Sequence, residues 1–208
     1  MFDIDGTLVE SYDLDAKCFS AVIEDELGVS IGVDWTRYKH VTDSGILNQI
    51  INELNLAHER ERIVLSVKAK FTAQIKDHLS QQKVFAVDGA AEFLAELVER
   101  KDVALAFATG GWLETAKMKL DAANIRLPEI PIVSSSDHYS RIEIMKKAQT
   151  QAGYSQYTTK TYFGDGPWDL KASLDLGYNF VLVGSRIDYH QSIRNFKETD
   201  LALNYIGL

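Results

Sequence analysis

The spacing of apolar residues divides the chain into two parts. Over residues 14–79 it is helical: Phe19, Val22, Ile23 and Leu27 form one stripe, and Ile46, Leu47, Ile50, Ile51 and Leu54 a second. A third takes every fourth residue, from Ile63 through Val67, Phe71 and Ile75 to Leu79. Three helices with no strand between them predict a compact helical module, each stripe serving packing. Near Val84 the character changes. A helix with Phe93, Leu94, Leu97 and Val98 inward is followed by an apolar run at 103–108 and a helix at 113–123. A short strand is expected at 132–134, a helix at 142–152, a strand at 161–163, a helix at 170–176 and a strand at 180–183. Strand and helix in turn predict an α/β core built on a parallel sheet covered on both faces.

In such sheets ligands bind at the carboxyl ends of the strands, so the residues after each apolar run are where chemistry is expected. These are residues 3–7, Thr109 with Gly110, 134–137 and 164–169, all polar, small and rich in aspartate. As parallel neighbours, the four clusters would meet at one edge although they lie up to about 160 residues apart in sequence.

Composition narrows the picture. With 208 residues and 46% hydrophobic content the chain suits one globular unit, or a core carrying one small insertion. The net charge of −8 and the dispersed Lys and Arg residues argue against nucleic acid as a partner. The single cysteine, Cys18, excludes an internal disulfide and reads as a small apolar residue, and the five histidines show no zinc spacing. There is no run of about 18 apolar residues and no basic-then-apolar leader, so no membrane association is expected and the reading is a soluble cytoplasmic protein, monomer or homodimer.

Asp3 and Asp5 stand two apart, where a strand end lets both project toward one region, and Gly6 permits a sharp turn directly after them. Carboxylates this close repel one another, and a divalent cation relieves that repulsion. All-oxygen ligands without Cys or His suit Mg²⁺. Asp165 would supply a further carboxylate, and Asp169, one turn on, would hold a metal-bound water or position Asp165. Thr109 with Gly110 and Gly111 offers a hydroxyl and unobstructed N–H groups at a helix start, a site for phosphate oxygens. A positive side chain is also wanted, since a phosphoryl group and an attacking carboxylate are both negative.

The string Phe2-Asp3-Ile4-Asp5-Gly6-Thr7-Leu8 resembles motif I of the haloacid dehalogenase superfamily, and Phe107-Ala108-Thr109-Gly110 resembles motif II. Gly164-Asp165-Gly166-Pro167-Trp168-Asp169 resembles motif IV in its GDxxxD form. The resemblance implies a Rossmann-like core at 1–12 and 84–208, with a helical C1-type cap at 13–83 and linkers near 8–13 and 83–89. It also implies that Asp3 is a nucleophile forming an aspartyl phosphate and Asp5 the acid/base, with the Asp3 carboxylate, the Asp5 carbonyl and the Asp165 carboxylate as ligands of Mg²⁺, beside which Asp169 is counted from the reading above. An aspartate at position 5 points to phosphatase or phosphomutase chemistry, because family dehalogenases lack it and transport ATPases carry Thr there. Motif III usually offers a lysine; here the aligned residue is Arg141, which keeps the charge with a different geometry, and Lys146, Lys147 and Lys160 are its competitors. Only Met1 and Phe2 precede Asp3, fewer than the roughly five residues of an ordinary strand, so an upstream segment is expected.

A small phosphorylated metabolite is the expected substrate, phosphoglycolate-like or a sugar phosphate, selected by the cap, for which the polar segment 42–45 is a candidate facing the site. Asp43 or Ser44 reads equally as an ordinary helix N-cap. A β-phosphoglucomutase-like mutase would carry a cap histidine where this chain has Asp15. Phosphonate hydrolysis would use a cap lysine, Lys17 or Lys39, both of which also read as surface charges. A non-catalytic sensor of phosphate ligands is the remaining alternative.

Overall fold

The computed structural model describes residues 1–32, 34–153 and 159–208. Helix α1 (Tyr12–Leu27) ends where Gly28 adopts a left-handed conformation. Helix α2 (Asp43–Glu53) starts at Thr42, whose Oγ1 accepts from the Gly45 N–H at 3.0 Å. Helix α3 (Arg60–Gln81) completes the module, with single 3₁₀ turns at Trp35–Arg37 and Ala57–Glu59 between. The apolar stripes meet in one buried cluster around Phe19, Ile51, Val67 and Phe71. Trp112, from the other part of the chain, is inserted into the same cluster, so the module and the sheet share packing.

The two stretches that lead into and out of the module run side by side: Val9 bridges Ala86 in antiparallel fashion, the Glu10 N–H donates to the Phe85 carbonyl, and the Val87 N–H to that of Leu8. Beyond them come α4 (Ala90–Val98), β1 (Phe107–Ala108), α5 (Leu113–Ala122), β2 (Ile132–Val133) and α6 (Arg141–Gln151). The chain then continues through β3 (Thr161–Gly164), α7 (Pro167–Leu176), β4 (Asn179–Val183), β5 (Ser192–Ile193) and α8 (Thr199–Ile206). All strand pairs are parallel, β2 beside β1 and β3 beside β4 beside β5. Phe2 joins the two groups, bridging Phe107 on one side and Phe163 on the other.

Alternation of side chains sends Phe2, Phe107, Phe163, Val181 and Val183 to one face, under α4, α5 and α8. Ala106, Ala108, Tyr162, Phe180 and Leu182 go to the other, under α6 and α7. Both faces are therefore buried, which is why these strands are continuously apolar. Four details differ from the sequence expectation. Val98 is 43% exposed rather than inward. Only Phe107 and Ala108 of the 103–108 run are strand, since the central line beside them offers Phe2 alone as a bridging residue. Helix α7 begins three residues earlier than expected, with Pro167 as its first residue and Asp169 accepting from the Gly166 N–H. Strand β5 and helix α8 are unanticipated, β5 because two residues carry no readable period.

Candidate active site

The central line of the sheet ends at Asp3, whose N–H donates to the Phe163 carbonyl at 2.9 Å. The chain then turns sharply, with the Gly6 N–H donating to Val9 O and the Leu8 N–H to Ile4 O. Gly6 has φ +80°, and a Cβ there would collide with the Asp165 carboxylate, so glycine is required both by conformation and by the approach of the other motif. Asp165 follows β3 directly. Asp3, Asp165 and Asp169 are all buried and each offers a carboxylate oxygen within 4.8 Å of the others.

Burial and the Asp169 charge push the Asp3 carboxyl well above the usual carboxylate range. Burial and Asp3 push Asp165 up to about 7, and burial raises Asp169 to about 6 although Arg141 opposes it. Asp165 Oδ1 is buried and has no hydrogen-bond partner among the described residues. Converging oxygens, an unclaimed lone pair and mutual repulsion together fit a divalent cation. Arginines supply part of the compensation. Arg141, the first residue of α6, places Nη1 3.3 Å from Asp3 Oδ1 and 2.8 Å from Asp169 Oδ1, the latter as an ion pair without hydrogen-bond alignment. It also donates to the Tyr162 hydroxyl (3.2 Å) and, through Nη2, to the Val41 carbonyl (3.2 Å). Arg186 Nε donates to Asp165 Oδ2 at 2.9 Å, its guanidinium lying 3.4 Å above the Tyr12 ring centre.

Asp5 faces a different set of partners. Its Oδ1 accepts from the Ser11 hydroxyl (2.5 Å) and pairs with Lys119 Nζ (2.6 Å), while Oδ2 is directed toward Gly111. Lys119 is fully buried and also pairs with Asp15 Oδ1 at 2.5 Å. Burial alone would lower its pKa, but Asp15 and Asp5 outweigh burial and hold it above the usual lysine range. Burial pushes Asp15 up to about 6 despite Lys119.

Thr109 ends β1, and its Oγ1 accepts from the Gly111 N–H at 3.1 Å. A side chain at Gly110 would strike the Arg141 guanidinium. The sequence predicted unobstructed N–H groups here, and this needs correction: Gly111 donates to Thr109, and Trp112 donates to Asp43 Oδ2 at 2.8 Å. The Gly110 N–H makes no hydrogen bond among the described residues. Asp43 belongs to the helical module, and its own N–H donates back to the Gly110 carbonyl at 2.9 Å. Ser44 adds bonds to Ser135 and to the Trp112 indole, and Thr42 one to the Tyr139 carbonyl. The 42–45 segment is thus both a helix start and a face of the site.

A cavity of about 80 Å³ lies between the two parts, bordered by Asp3, Asp5, Thr109, Gly110, Gly111, Arg141 and Asp165 on the sheet side. Of the basic residues weighed for motif III, only Arg141 reaches Asp3. Lys146 and Lys147 are exposed and paired with Glu143 and Asp137, and Lys160 lies against the Tyr178 ring. Lys17 and Lys39 are exposed and do not border the cavity.

A family model described as haloacid dehalogenase-like hydrolase matches residues 1–183. The chain belongs to that family. A search of curated proteins finds no match. Among solved structures, a haloacid dehalogenase-like fold recurs in a hydrolase from Pseudomonas syringae (21% identity, 91% of this chain and 85% of that one, TM-score 0.72). CbbY from Rhodobacter sphaeroides in complex with phosphate is similar at 18% identity, 100% and 97% coverage and TM-score 0.70. A family IA, variant 3 haloacid dehalogenase hydrolase from Entamoeba histolytica is similar at 15% identity, 100% and 98% coverage and TM-score 0.71. For this family member, two basic residues at the site escaped sequence reading. Lys119 carried a signal, since it falls on the inward face of α5 with Thr115, Ala116 and Leu120. Arg186, in the loop after β4, carried none.

Proposed function

We propose that this chain is a Mg²⁺-dependent, cytoplasmic phosphatase of small phosphomonoesters, with residues 13–83 acting as a cap over a core formed by 1–12 and 84–208. What carries the reading is the placement of Asp3 and Asp5 on one cavity, with Asp3 against two carboxylates and Arg141 and Asp5 against Lys119. Asp3 and Asp165, the Asp5 carbonyl and Asp169 would hold the metal, which supplies positive charge for the phosphoryl oxygens. Thr109, the Gly110 N–H and Arg141 would bind and orient the phosphoryl group. An Asp3 oxygen attacks phosphorus as the bond to the alcohol oxygen breaks, and Asp5 delivers a proton from Oδ2 to the departing alkoxide. Water then attacks the aspartyl phosphate, Asp5 Oδ2 takes its proton, and inorganic phosphate leaves with Asp3 restored. Ser11 and Lys119 hold Oδ1, which leaves Oδ2 for the transfer. A mutase would need a cap histidine, whereas Asp15 is tied to Lys119.

The test is phosphate release from a panel of phosphomonoesters with and without Mg²⁺. Turnover should depend on the metal and fall by at least about four orders of magnitude in Asp3→Asn. Metal-independent turnover, or turnover that survives the substitution, would refute the mechanism.

A further inference from the structure

Resting on that phosphatase reading, we infer that the alcohol released from the substrate carries no anionic group: neutral and amine-bearing phosphomonoesters are taken, and phosphorylated acids and bisphosphates are disfavoured. The leaving group must lie beside Asp5, on the side of the cavity formed by the helical module. There the charged residues are Asp15 and Asp43, both carboxylates. Among the described residues neither lysine nor histidine borders the cavity; Arg141, the cation that does, is taken up by Asp3, Asp169 and the transferring phosphoryl group, and nearby Arg186 is tied to Asp165 and stacked on Tyr12. Lys119 lies behind the wall, where its one ammonium group is shared by Asp5 and Asp15, while Asp43 is held by a backbone N–H alone.

A second phosphate or a carboxylate entering this space would be desolvated without a cation to receive it and would stand against like charge. Rejection of that kind selects a substrate as effectively as attraction does. The rest of the wall is mostly apolar, with Tyr12, Phe19, Trp35 and Trp168 as its aromatic members. Ring faces accept C–H surfaces and ammonium groups and offer nothing to an anion.

The full chain should be assayed with Mg²⁺ on glycerol 2-phosphate, phosphoethanolamine and phosphoglycolate, and the Kd of each measured by calorimetry with Asp3→Asn. We expect the first two to exceed phosphoglycolate at least tenfold in kcat/KM and in affinity, and Asp43→Asn to narrow that ratio. Phosphoglycolate matching or exceeding the others in either measurement would overturn the inference, as would failure of all three to bind. If none is turned over while the order of Kd values holds, the phosphatase reading falls and the selectivity stands.

Discussion

The sheet side of the cavity and the helical side are both built from buried carboxylates, but they are compensated in opposite ways. On the sheet side, Asp3, Asp165 and Asp169 converge on one point and two arginines leave an oxygen of Asp165 unclaimed. On the helical side, Asp15 is closed by an ion pair with Lys119 and Asp43 is held by the Trp112 N–H. Surplus charge gathered at one point is a place for a cation, whereas charge that is already partnered shapes the wall a substrate meets. Burial is somewhat deeper on the sheet side, where the three side chains are at most 5% exposed against 17% for Asp15, but the difference that matters is where the oxygens point.

The sharpest way to break this comparison is to remove one cation from each side. Arg141→Met and Lys119→Met should each cost about 3–5 kcal/mol of stability, because each leaves buried carboxylates uncompensated. Mg²⁺ should restore part of the first loss and none of the second. Urea midpoints with and without the metal read this directly, and equal rescue of both would mean the two sides are one electrostatic unit. Adding Asp15→Asn to Lys119→Met should recover stability in a non-additive way, since the two residues touch.

A smaller effect comes from pH. In the metal-free protein Asp165 and Asp169 titrate near 7 and near 6, above the ordinary 3.8 they return to on unfolding. The folded state therefore binds more protons than the unfolded one between about pH 4 and 7, so stability falls as pH rises through that window. Saturating Mg²⁺ should flatten the fall on the sheet side. Asp15, near 6, contributes a decline of the same sign that the metal leaves in place. Thermal melts across pH 4–8 check this, and a metal-free protein that gains stability with rising pH would contradict it. The smallest expected change is Thr42→Ala, which removes the cap of α2 and should cost about 1 kcal/mol in the same denaturation assay.

Much of this organisation was legible in the sequence, for reasons that differ by element. Period decided the helices of the module and the strands at Phe163 and Val181, because their burial is continuous. Asp3, Asp5, Thr109, Asp165 and Asp169 were found by their position after strands, and Arg141 by its place before the last motif. What stayed hidden depends on partners distant in sequence. A lysine on the inward face of α5 is recognisable as a site residue only once Asp5 and Asp15 are brought to it. Asp43 likewise satisfies a helix start locally, and only the docking of α2 on the 110–112 loop turns it toward the cavity. Arg186 lies in a loop without a repeating pattern.

Phe2, bridged to Phe107 on one side and Phe163 on the other, also bears on how the molecule is made. A ribosome adding residues at about 5–20 per second needs roughly 10–30 s to travel from Phe2 to Phe163. The helical module, drawn from residues 12–81 apart from Trp112, has nearly all its partners long before then. The apolar segment that ends at Asp3 emerges ahead of the module and is among the last to be enclosed, so it is a stretch that a nascent chain must keep from other surfaces in the interval.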